Sequence, residues 1–262
     1  MSTKEQSVTL LRKNKQAQVA AFNAVGMVDV TENSRASEFA KRIKWAGGLL
    51  DICLAAQRKS DKSYWYFTKE EWDSLTYENK EKKFIRRGLR VRAYGHSFVL
   101  AASDCSNADG TATFAWGPNK AVPDLNGRSC GTAYNDFAGA RNSELIMAAV
   151  ASGDSCPAAT AAAAYRAYST AFGDEIDDTS DWHLPGLGTL MTIYKCKAEI
   201  QAALEYFWYS GSLLNTADTG SVYWSSTVYS TNEAFRMSIH TAILQTQAKS
   251  GKLRVRAVCE EV

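Results

Sequence analysis

The last forty residues constrain the fold of this chain most, because they are divided into short segments that each favour a β-strand. The segments with strand signals are 221–229, 233–240, 242–248 and 252–259. They are rich in β-branched and aromatic residues and are separated by turn-forming residues. The chain therefore has to build a sheet near its C-terminus, in which it turns and returns within residues 241–251.

One of these segments alternates strictly between apolar and polar residues. Phe235 and Met237 would face the core, whereas Arg236, Ser238 and His240 would face solvent. A rigid strand with polar and basic side chains on one face makes a sound binding platform, because its backbone is ordered by folding and not by binding. The side chains on that face can then change without unfolding the domain.

Helical segments precede these strands, so the predicted class is α+β. The segments with helical composition are 17–26, 35–57, 143–151, 157–172 and 187–205. Pro157 stands where a helix begins, and Thr68 with Glu71 three residues later has the pattern of a capping box. Residues 88–102 alternate and contain β-branched and aromatic residues, which predicts one or two further strands.

Charge divides the chain into two regions. Residues 1–95 contain 19 Lys and Arg against 11 Asp and Glu, a net charge of +8, whereas residues 96–262 contain 11 against 17, a net charge of −6. We therefore predict two domains. Residues 1–87 would form a smaller, basic, mainly helical region with some strand that serves assembly or oligomerisation. Residues 88–262 would form a ligand-binding domain.

The basic region has two interpretations. It could bind an anionic partner such as nucleic acid, or it could be a solvated helical face or a surface between subunits. No basic cluster interleaved with aromatic residues accompanies it in the sequence, and no groove-reading motif does. We therefore favour the second interpretation and expect no nucleic-acid partner.

Composition excludes several classes of protein. The 262 residues are 45% hydrophobic and 22% charged, which is ordinary for a globular chain. No apolar run reaches the roughly 18 residues needed to cross a bilayer, so we expect no membrane insertion. The first fifteen residues are basic but lack the apolar stretch of a secretory signal. We expect a protein that is made in the cytoplasm without a signal peptide.

No sequence motif predicts an enzyme, a cofactor or a metal site. The six cysteines include no C-x-x-C pair, and the three histidines are scattered, whereas a zinc site needs close pairs. The cysteines favour buried thiols in a reducing compartment, or three disulfides if the protein ends up outside the cell. The acidic segment 174–178 (DEIDD) lacks the spacing of a calcium loop. No nucleophile elbow, P-loop or metalloprotease motif occurs.

Four ordered motifs in the C-terminal half resemble those of bacterial and phage domains with a C-type lectin fold. They are the NDFAG motif (135–139), the DWHLP motif (181–185), the YWSST motif (223–227) and the RVRAV motif (254–258). The helical stretch with Leu187, Leu190 and Tyr194, followed by AEIQAAL at 198–204, also resembles the family. The resemblance is close over residues 135–262 and looser over 96–134.

The family includes the variable proteins of diversity-generating retroelements, in which a C-type lectin fold displays hypermutated side chains near the C-terminus. The resemblance implies such a fold in the C-terminal part, with a diversified binding surface within residues 223–258. It also implies a virion-associated tail protein of a phage or prophage that binds a receptor, either protein or glycan, on a bacterial host. A homo-oligomer is expected, with a trimer as one form.

Candidate ligand-binding residues combine the solvent face of the C-terminal strands with nearby aromatic side chains. Aromatic and arginine side chains are favoured as anchors, since few residues carry most of the binding free energy. The candidates are Trp208, Tyr209, Tyr229, Thr231, Asn232, Arg236, Ser238, His240, Thr241, Gln245 and Gln247. Residues expected to hold the fold instead are Trp182, Pro185, Trp224, Ser225 and Ser226. Lys249 and Lys252 are expected to be solubility charges.

Two other functions stay open. The protein could be a structural virion component with no variable site, whose C-terminal sheet makes only subunit contacts. It could also be a relative of formylglycine-generating oxidases, which share the fold and use a pair of cysteines. The cysteines of the C-terminal half, Cys156, Cys196 and Cys259, show no such paired arrangement, so this alternative is the weaker one.

A short internal echo links the two ends of the predicted ligand-binding domain. The sequence LRVRA occurs at 89–93 and again at 253–257. Alternation places leucine, valine and alanine on one strand face and the arginines on the other. The echo predicts two strands of one sheet with the same pattern of burial.

Overall fold

The computed structural model describes residues 50–107, 110–125, 127–165, 182–208, 214 and 221–261. These residues form a mixed α+β structure with open antiparallel sheets, which confirms the predicted class. The helix predicted at 17–26, most of the one at 35–57 and the end of the one at 157–172 lie outside the described residues. The acidic segment 174–178 lies outside them as well.

The described part of the chain contains ten strands and seven helices. The strands are β1 (Asp51–Arg58), β2 (Tyr64–Phe67), β3 (Phe84–Ala93), β4 (His96–Ala101), β5 (Phe114–Ala115), β6 (Val222–Val228), β7 (Glu233–Ser238), β8 (Leu244–Ala248), β9 (Lys252–Leu253) and β10 (Val258–Cys259). The helices are α1 (Lys69–Ser74), α2 (Tyr77–Lys83), α3 (Cys130–Ala133), α4 (Gly139–Ala151), α5 (Pro157–Ala163), α6 (Leu187–Lys195) and α7 (Lys197–Trp208).

A five-stranded antiparallel sheet, in the order β10-β4-β3-β1-β2, forms the centre of the structure. The long strand β3 pairs with β1 on one side and with β4 on the other. Strand β10 comes from the far end of the chain and pairs with β4. The predicted division between residues 87 and 88 falls inside β3, and strands from both sides of it belong to this one sheet.

The helix predicted at 35–57 is wrong for residues 51–57, which belong to β1. This segment contains Leu54, Ala55 and Ala56, which have high helix propensity. In the structure Leu54 and Ala56 pack into one apolar cluster, and Ala55 packs into another on the opposite face. Pairing with β2 and β3 and burial of both faces outweigh the intrinsic preference of these residues for a helix.

Each face of the five-stranded sheet is covered by a different apolar cluster. On one face Leu89 packs in a cluster with Leu190 of α6 and Leu204 of α7. On the other face Val99 packs in a cluster that contains Trp116. Successive side chains of a strand point to opposite faces of the sheet. Because a cluster covers each face, side chains on both faces of the central strands can be buried.

Two arginines of the LRVRA echo, Arg90 and Arg256, are buried, whereas Arg92 and Arg254 are half-buried. Arg90 is fully buried; its Nη2 donates to Asp51 Oδ2 at 2.8 Å, and its guanidinium lies 4.5 Å from the centroid of the Tyr66 ring. Arg256, in the second copy, is 1% exposed and donates from Nε to the Ala101 oxygen at 2.9 Å. In each copy, one arginine is therefore buried although it alternates with apolar residues.

The two copies of the echo also lie in different sheets. The first copy is part of β3, whereas Leu253 of the second copy lies in β9 and pairs with Phe114 of β5. Only the residues after the second copy join the five-stranded sheet, as β10. The prediction of two strands in one sheet is wrong, because the C-terminal segment leaves the two-stranded sheet before it reaches β4.

A three-stranded antiparallel sheet, β6-β7-β8, contains most of the strands predicted at the C-terminus. The strands predicted at 221–229, 233–240 and 242–248 are confirmed as β6, β7 and β8. The strand predicted at 252–259 is instead two strands of two residues each, β9 and β10. The turn between β7 and β8 contains Ala242 with a φ of 61°, and the N–H of Ala242 donates to the Ser238 oxygen at 3.0 Å.

The positions of the predicted helices match the structure better than their lengths do. The capping box at Thr68 and Glu71 is present and begins α1. The helix predicted at 187–205 is two helices, since Cys196 leaves the helical region with a φ of −106° and a ψ of 16°. Among the described residues, no helix combines the length and the apolar character needed to span a membrane.

Candidate binding face

The motifs that carry the family resemblance meet in space and are joined by hydrogen bonds. His183 of the DWHLP motif forms an antiparallel bridge with Val258 of the RVRAV motif, with N···O distances of 2.8 and 3.0 Å. Pro185 of the same motif accepts a hydrogen bond from the N–H of Ser226 in the YWSST motif at 2.9 Å. Three segments that are distant in sequence thus form one backbone network.

The NDFAG motif joins this network through Asp136. Asn142 Nδ2 donates to Asp136 Oδ2 at 3.0 Å and to Ser226 Oγ at 3.2 Å. Gly139 packs so closely against the DWHLP motif that an added Cβ would lie 2.8 Å from the Leu184 oxygen. A residue with a side chain would therefore force the helix away from the network, which explains the glycine.

The YWSST motif uses its side chains to fix the strands around it. Trp224 is fully buried and donates from Nε1 to the Phe114 oxygen at 2.7 Å. Ser225 Oγ donates to the Phe235 oxygen at 3.0 Å. The residues predicted to hold the fold are all buried: Trp182, Pro185, Trp224, Ser225 and Ser226. Their burial agrees with the structural role predicted for them.

The β7–β8 face, defined here by Arg236, Gln245 and Gln247, lies opposite the apolar side of the same hairpin. Arg236 pairs in register with Gln245, and Gln247 pairs with Ala234, so the three long polar side chains lie on one side of the sheet. Phe235 and other residues on the opposite side pack into the core. On this side of the sheet Gln245 is exposed and Arg236 and Gln247 are half-buried, whereas Ala234, which pairs with Gln247, is fully buried.

Arg236 is the central residue of the β7–β8 face and is half-buried. Its Nη2 donates to Gln245 Oε1 at 2.5 Å. Its Nε is buried and has no hydrogen-bond partner among the described residues. On the β6 side Arg236 pairs in register with the buried Trp224, which limits the exposure of the guanidinium. A guanidinium flanked by amides suits carboxylate, phosphate or hydroxyl groups as ligands.

The turn at one end of the β7–β8 face contains three candidates with different exposure. Ser238 is 8% exposed and differs from the expected solvent-facing side chain, because its Oγ accepts the N–H of Thr241 at 3.2 Å and holds the turn. His240 and Thr241 are exposed. They extend the polar surface at this end of the hairpin.

The loop at the other end of β7 contains Tyr229, Thr231 and Asn232, all of them exposed. Tyr229 is 41% exposed and packs edge-on against Phe235, with ring centroids 5.6 Å apart. The backbone oxygens of Thr231 and Asn232 both accept hydrogen bonds from Lys249. The loop is therefore fixed through its backbone while its side chains remain at the surface.

Trp208 and Tyr209 are separated from the hairpin turn by the length of α7. Lys197, the first residue of α7, donates from Nζ to the His240 oxygen at 3.1 Å, so the turn lies beside the start of this helix. Trp208 ends the helix, roughly 16 Å further along its axis. Tyr209 and the side chain of Trp208 lie outside the described residues. The structure does not bring Trp208 together with His240.

Lys249, which lies near the β7–β8 face, was expected to be an exposed solubility charge, and the structure differs from this expectation. It is fully buried, and its Nζ donates to the Lys120 oxygen at 2.9 Å and the Thr231 oxygen at 2.8 Å. The ammonium lies 4.8 Å from the centroid of the Trp116 ring. Burial lowers the pKa of the Lys249 ammonium. Sequence gave no signal for this, because Lys249 follows Gln245 and Gln247 in an ordinary polar alternation.

The histidines, cysteines and carboxylates are the side chains that could provide metal or thiol chemistry in the described part of the chain. Among the described residues, no group of three or more His, Cys, Asp or Glu could hold a metal ion. All six cysteines are thiols, and only Cys130 is exposed. Burial raises the pKa of Cys105 to about 12 and that of Cys196 to about 11. Neither of these two thiols readily forms the nucleophilic thiolate at neutral pH.

Comparison of the chain with known protein families, with curated proteins and with solved structures finds no match. What the β7–β8 face can bind therefore has to be inferred from its own side chains and their surroundings.

Proposed function

We propose that the protein is a receptor-binding protein with a C-type lectin fold, and that its β7–β8 face binds a protein or glycan on the surface of a bacterial host. A virion-associated tail protein of a phage or prophage would act in this way. The proposal rests on the difference between the two sides of the β7–β8 hairpin, one apolar and one polar. Phe235 and Met237 are fully buried, whereas Arg236, Gln245 and Gln247 form a separate polar surface on the other side.

The hairpin supports binding because its shape does not depend on the side chains of that surface. Strand β7 is paired on both edges, and its apolar side is anchored in the core. A ligand would therefore meet a backbone that is already ordered, and little conformational entropy would be lost on binding beyond that of the surface side chains.

Burial limits which residues a diversified surface could include. Within residues 223–258, the resemblance motifs are largely buried and form the scaffold. We propose that variation is confined to the exposed or half-buried candidates of this stretch: Tyr229, Thr231, Asn232, Arg236, His240, Thr241, Gln245 and Gln247. Ser238 is excluded from this set because its hydroxyl holds the turn.

A triple substitution of the β7–β8 face tests the proposal. Replacing Arg236, Gln245 and Gln247 with alanine removes the polar groups and leaves the apolar anchors in place. We expect the binding of fluorescently labelled protein to intact cells of the host bacterium to fall at least about tenfold, which is about 1.4 kcal/mol of binding free energy. The melting temperature should change little, because none of the three side chains belongs to an apolar core cluster.

The matched control replaces Arg141 and Glu144 with alanine, an exposed ion pair on α4. This variant should bind cells like the unmodified protein. Unchanged binding of the triple variant would refute the proposal. If the triple variant instead alters the oligomer mass, the face serves contacts between subunits and the protein is better explained as a structural virion component.

A further inference from the structure

The outer edge of strand β8 is a surface that the proposed binding face does not use. Strand β8 (Leu244–Ala248) lies at the end of the three-stranded sheet and pairs with β7. In the part of the chain that the structure describes, no strand pairs with its other edge. Such an edge presents a row of backbone N–H and C=O groups, which can pair with a strand of another chain.

Strand β8 lacks the features that usually protect an edge strand. Its sequence, LQTQA, contains no charged residue and no proline, and all five residues pair with β7 without a shift in register. Lysine is a common protective residue at sheet edges. The lysine that follows β8, Lys249, is fully buried and donates to two backbone oxygens of its own chain. Its charge therefore does not protect the edge.

The pairing of β7 with β8 determines which backbone groups point outward. The N–H of Ser238 donates to the Ile243 oxygen at 3.0 Å, and the N–H of Lys249 donates to the Asn232 oxygen at 2.9 Å. Successive residues of a strand direct their N–H and C=O groups to opposite edges. The odd-numbered residues of β8 therefore direct these groups toward β7. The residues whose groups point to the outer edge are Leu244, Thr246 and Ala248.

A second copy of β8 fits this edge in the antiparallel orientation. With Thr246 on a two-fold axis, its N–H and C=O groups pair with those of Thr246 in the other copy. The Ala248 N–H then donates to the Leu244 oxygen of the other copy, while the Ala248 oxygen keeps its hydrogen bond from the Gly251 N–H at 2.8 Å. No like charges meet along this edge, because β8 carries none. The edge is thus self-complementary, as a two-fold interface requires.

We infer that two copies of the chain pair through β8, so that their β7–β8 faces form one continuous surface. Gln245 of each copy lies opposite Gln247 of the other, and these amides form the centre of the surface. Arg236 lies beside Gln245 of its own chain. The two Arg236 residues are therefore separated by three strand spacings, or about 14 Å across the sheet.

The pairing gives the proposed receptor-binding function a site with two equivalent halves. A receptor made of identical repeating units can occupy both halves at once, and the second contact then forms at a high effective concentration. This use of the paired face rests on the proposed function. The pairing itself does not, because it is made by backbone groups.

Sedimentation velocity of the full chain tests the pairing, and we expect a dimer or another even-numbered oligomer. Thr246→Pro removes the outward N–H at the axis but no hydrogen bond to β7, and proline is tolerated on an edge strand at such a position. This variant should sediment with half the mass of the unmodified protein and keep a similar melting temperature. The matched control Thr246→Val keeps the N–H and a β-branched side chain, so it should remain paired.

Disulfide cross-linking tests the register of the pairing in a variant that keeps every backbone N–H. The double variant Gln245→Cys with Gln247→Cys places a thiol of each copy opposite a thiol of the other, with Cα atoms roughly 4.5 Å apart, which a disulfide can span. Under mild oxidation most of it should run as a covalent dimer on a non-reducing gel. Each single variant should stay largely monomeric there and reports any background from the exposed Cys130.

Three outcomes would overturn the inference. They are an unmodified chain that is monomeric or trimeric, equal cross-linking of the single and double variants, and a folded Thr246→Pro variant that stays paired.

The triple alanine variant of the β7–β8 face separates this inference from the proposed function. It should remain paired, because its backbone is unchanged. If the chain is paired and the triple variant still binds cells, the proposed function fails and the pairing stands. If the chain is monomeric and the triple variant loses cell binding, the pairing fails and the proposed function stands.

Discussion

At the scale of single residues, three cations, Arg90, Arg256 and Lys249, are buried, and each has at least one hydrogen-bond partner. A buried charge is costly unless it is paired or hydrogen-bonded. Arg90 is paired with Asp51, and Arg256 donates to backbone oxygens and to Asp104 Oδ1 at 3.0 Å. Lys249 donates to two backbone oxygens from different loops. Sequence cannot reveal these partners, because each comes from a distant part of the chain.

Replacing Lys249 with methionine tests its role as a bridge between loops. Methionine keeps most of the apolar stem but leaves the oxygens of Lys120 and Thr231 without their donor. We expect the free energy of unfolding to fall by about 1–3 kcal/mol, measured by urea denaturation. The control Lys252→Met changes an exposed lysine and should stay within about 0.5 kcal/mol. Undiminished stability of the Lys249 variant would contradict the assigned role.

At the scale of elements, sequence predicts strands well where one face is apolar and the other polar. The pattern around Phe235 and Met237 predicted β7 and its neighbours, and the pattern of Thr68 and Glu71 predicted the start of α1. The prediction failed at β1, where Leu54 and its alanine neighbours are buried on both faces and lack alternation. The polar face was predicted in part. Arg236 lies on this face, whereas the Ser238 hydroxyl accepts a hydrogen bond within the β7–β8 turn.

Replacing Gly139 with alanine tests whether the resemblance motifs form one scaffold. The added Cβ would lie 2.8 Å from the Leu184 oxygen and 2.9 Å from the Gly186 nitrogen. Although alanine favours a helix, we expect a net loss of about 1–3 kcal/mol in the free energy of unfolding from this overpacking. In the control Gly131→Ala, the nearest atom would be Ser129 Oγ at 3.9 Å. A control less stable than the Gly139 variant would argue against the scaffold.

At the scale of the whole molecule, the five-stranded sheet combines strands from both sides of the division that charge suggested. The shift from a basic to an acidic composition describes the surface, whereas the sheet is held by buried residues from both sides of residue 88. Local sequence patterns cannot show this, since the pairing of β1 with β3 and of β10 with β4 depends on contacts between distant segments.

Removal of the first two strands tests the unity of this sheet. A chain that begins at residue 88 loses β1 and β2 and exposes Leu89 and Val91, which are fully buried. We expect it to lose cooperative unfolding in urea, followed by tryptophan fluorescence and circular dichroism. A chain that begins at residue 50 is the comparator. Equal midpoints and slopes for the two chains would show that the predicted division marks a real domain boundary.

The pairing of Val258 with Leu100 has a consequence for how the protein is made. The ribosome must add a further 158 residues after Leu100 before the partner of that residue exists. At about 5–20 residues per second, this leaves the outer rim of β4 unpartnered for roughly 8–30 s. During translation the nascent chain thus carries an open sheet edge, the kind of surface on which misassembly begins and chaperones act.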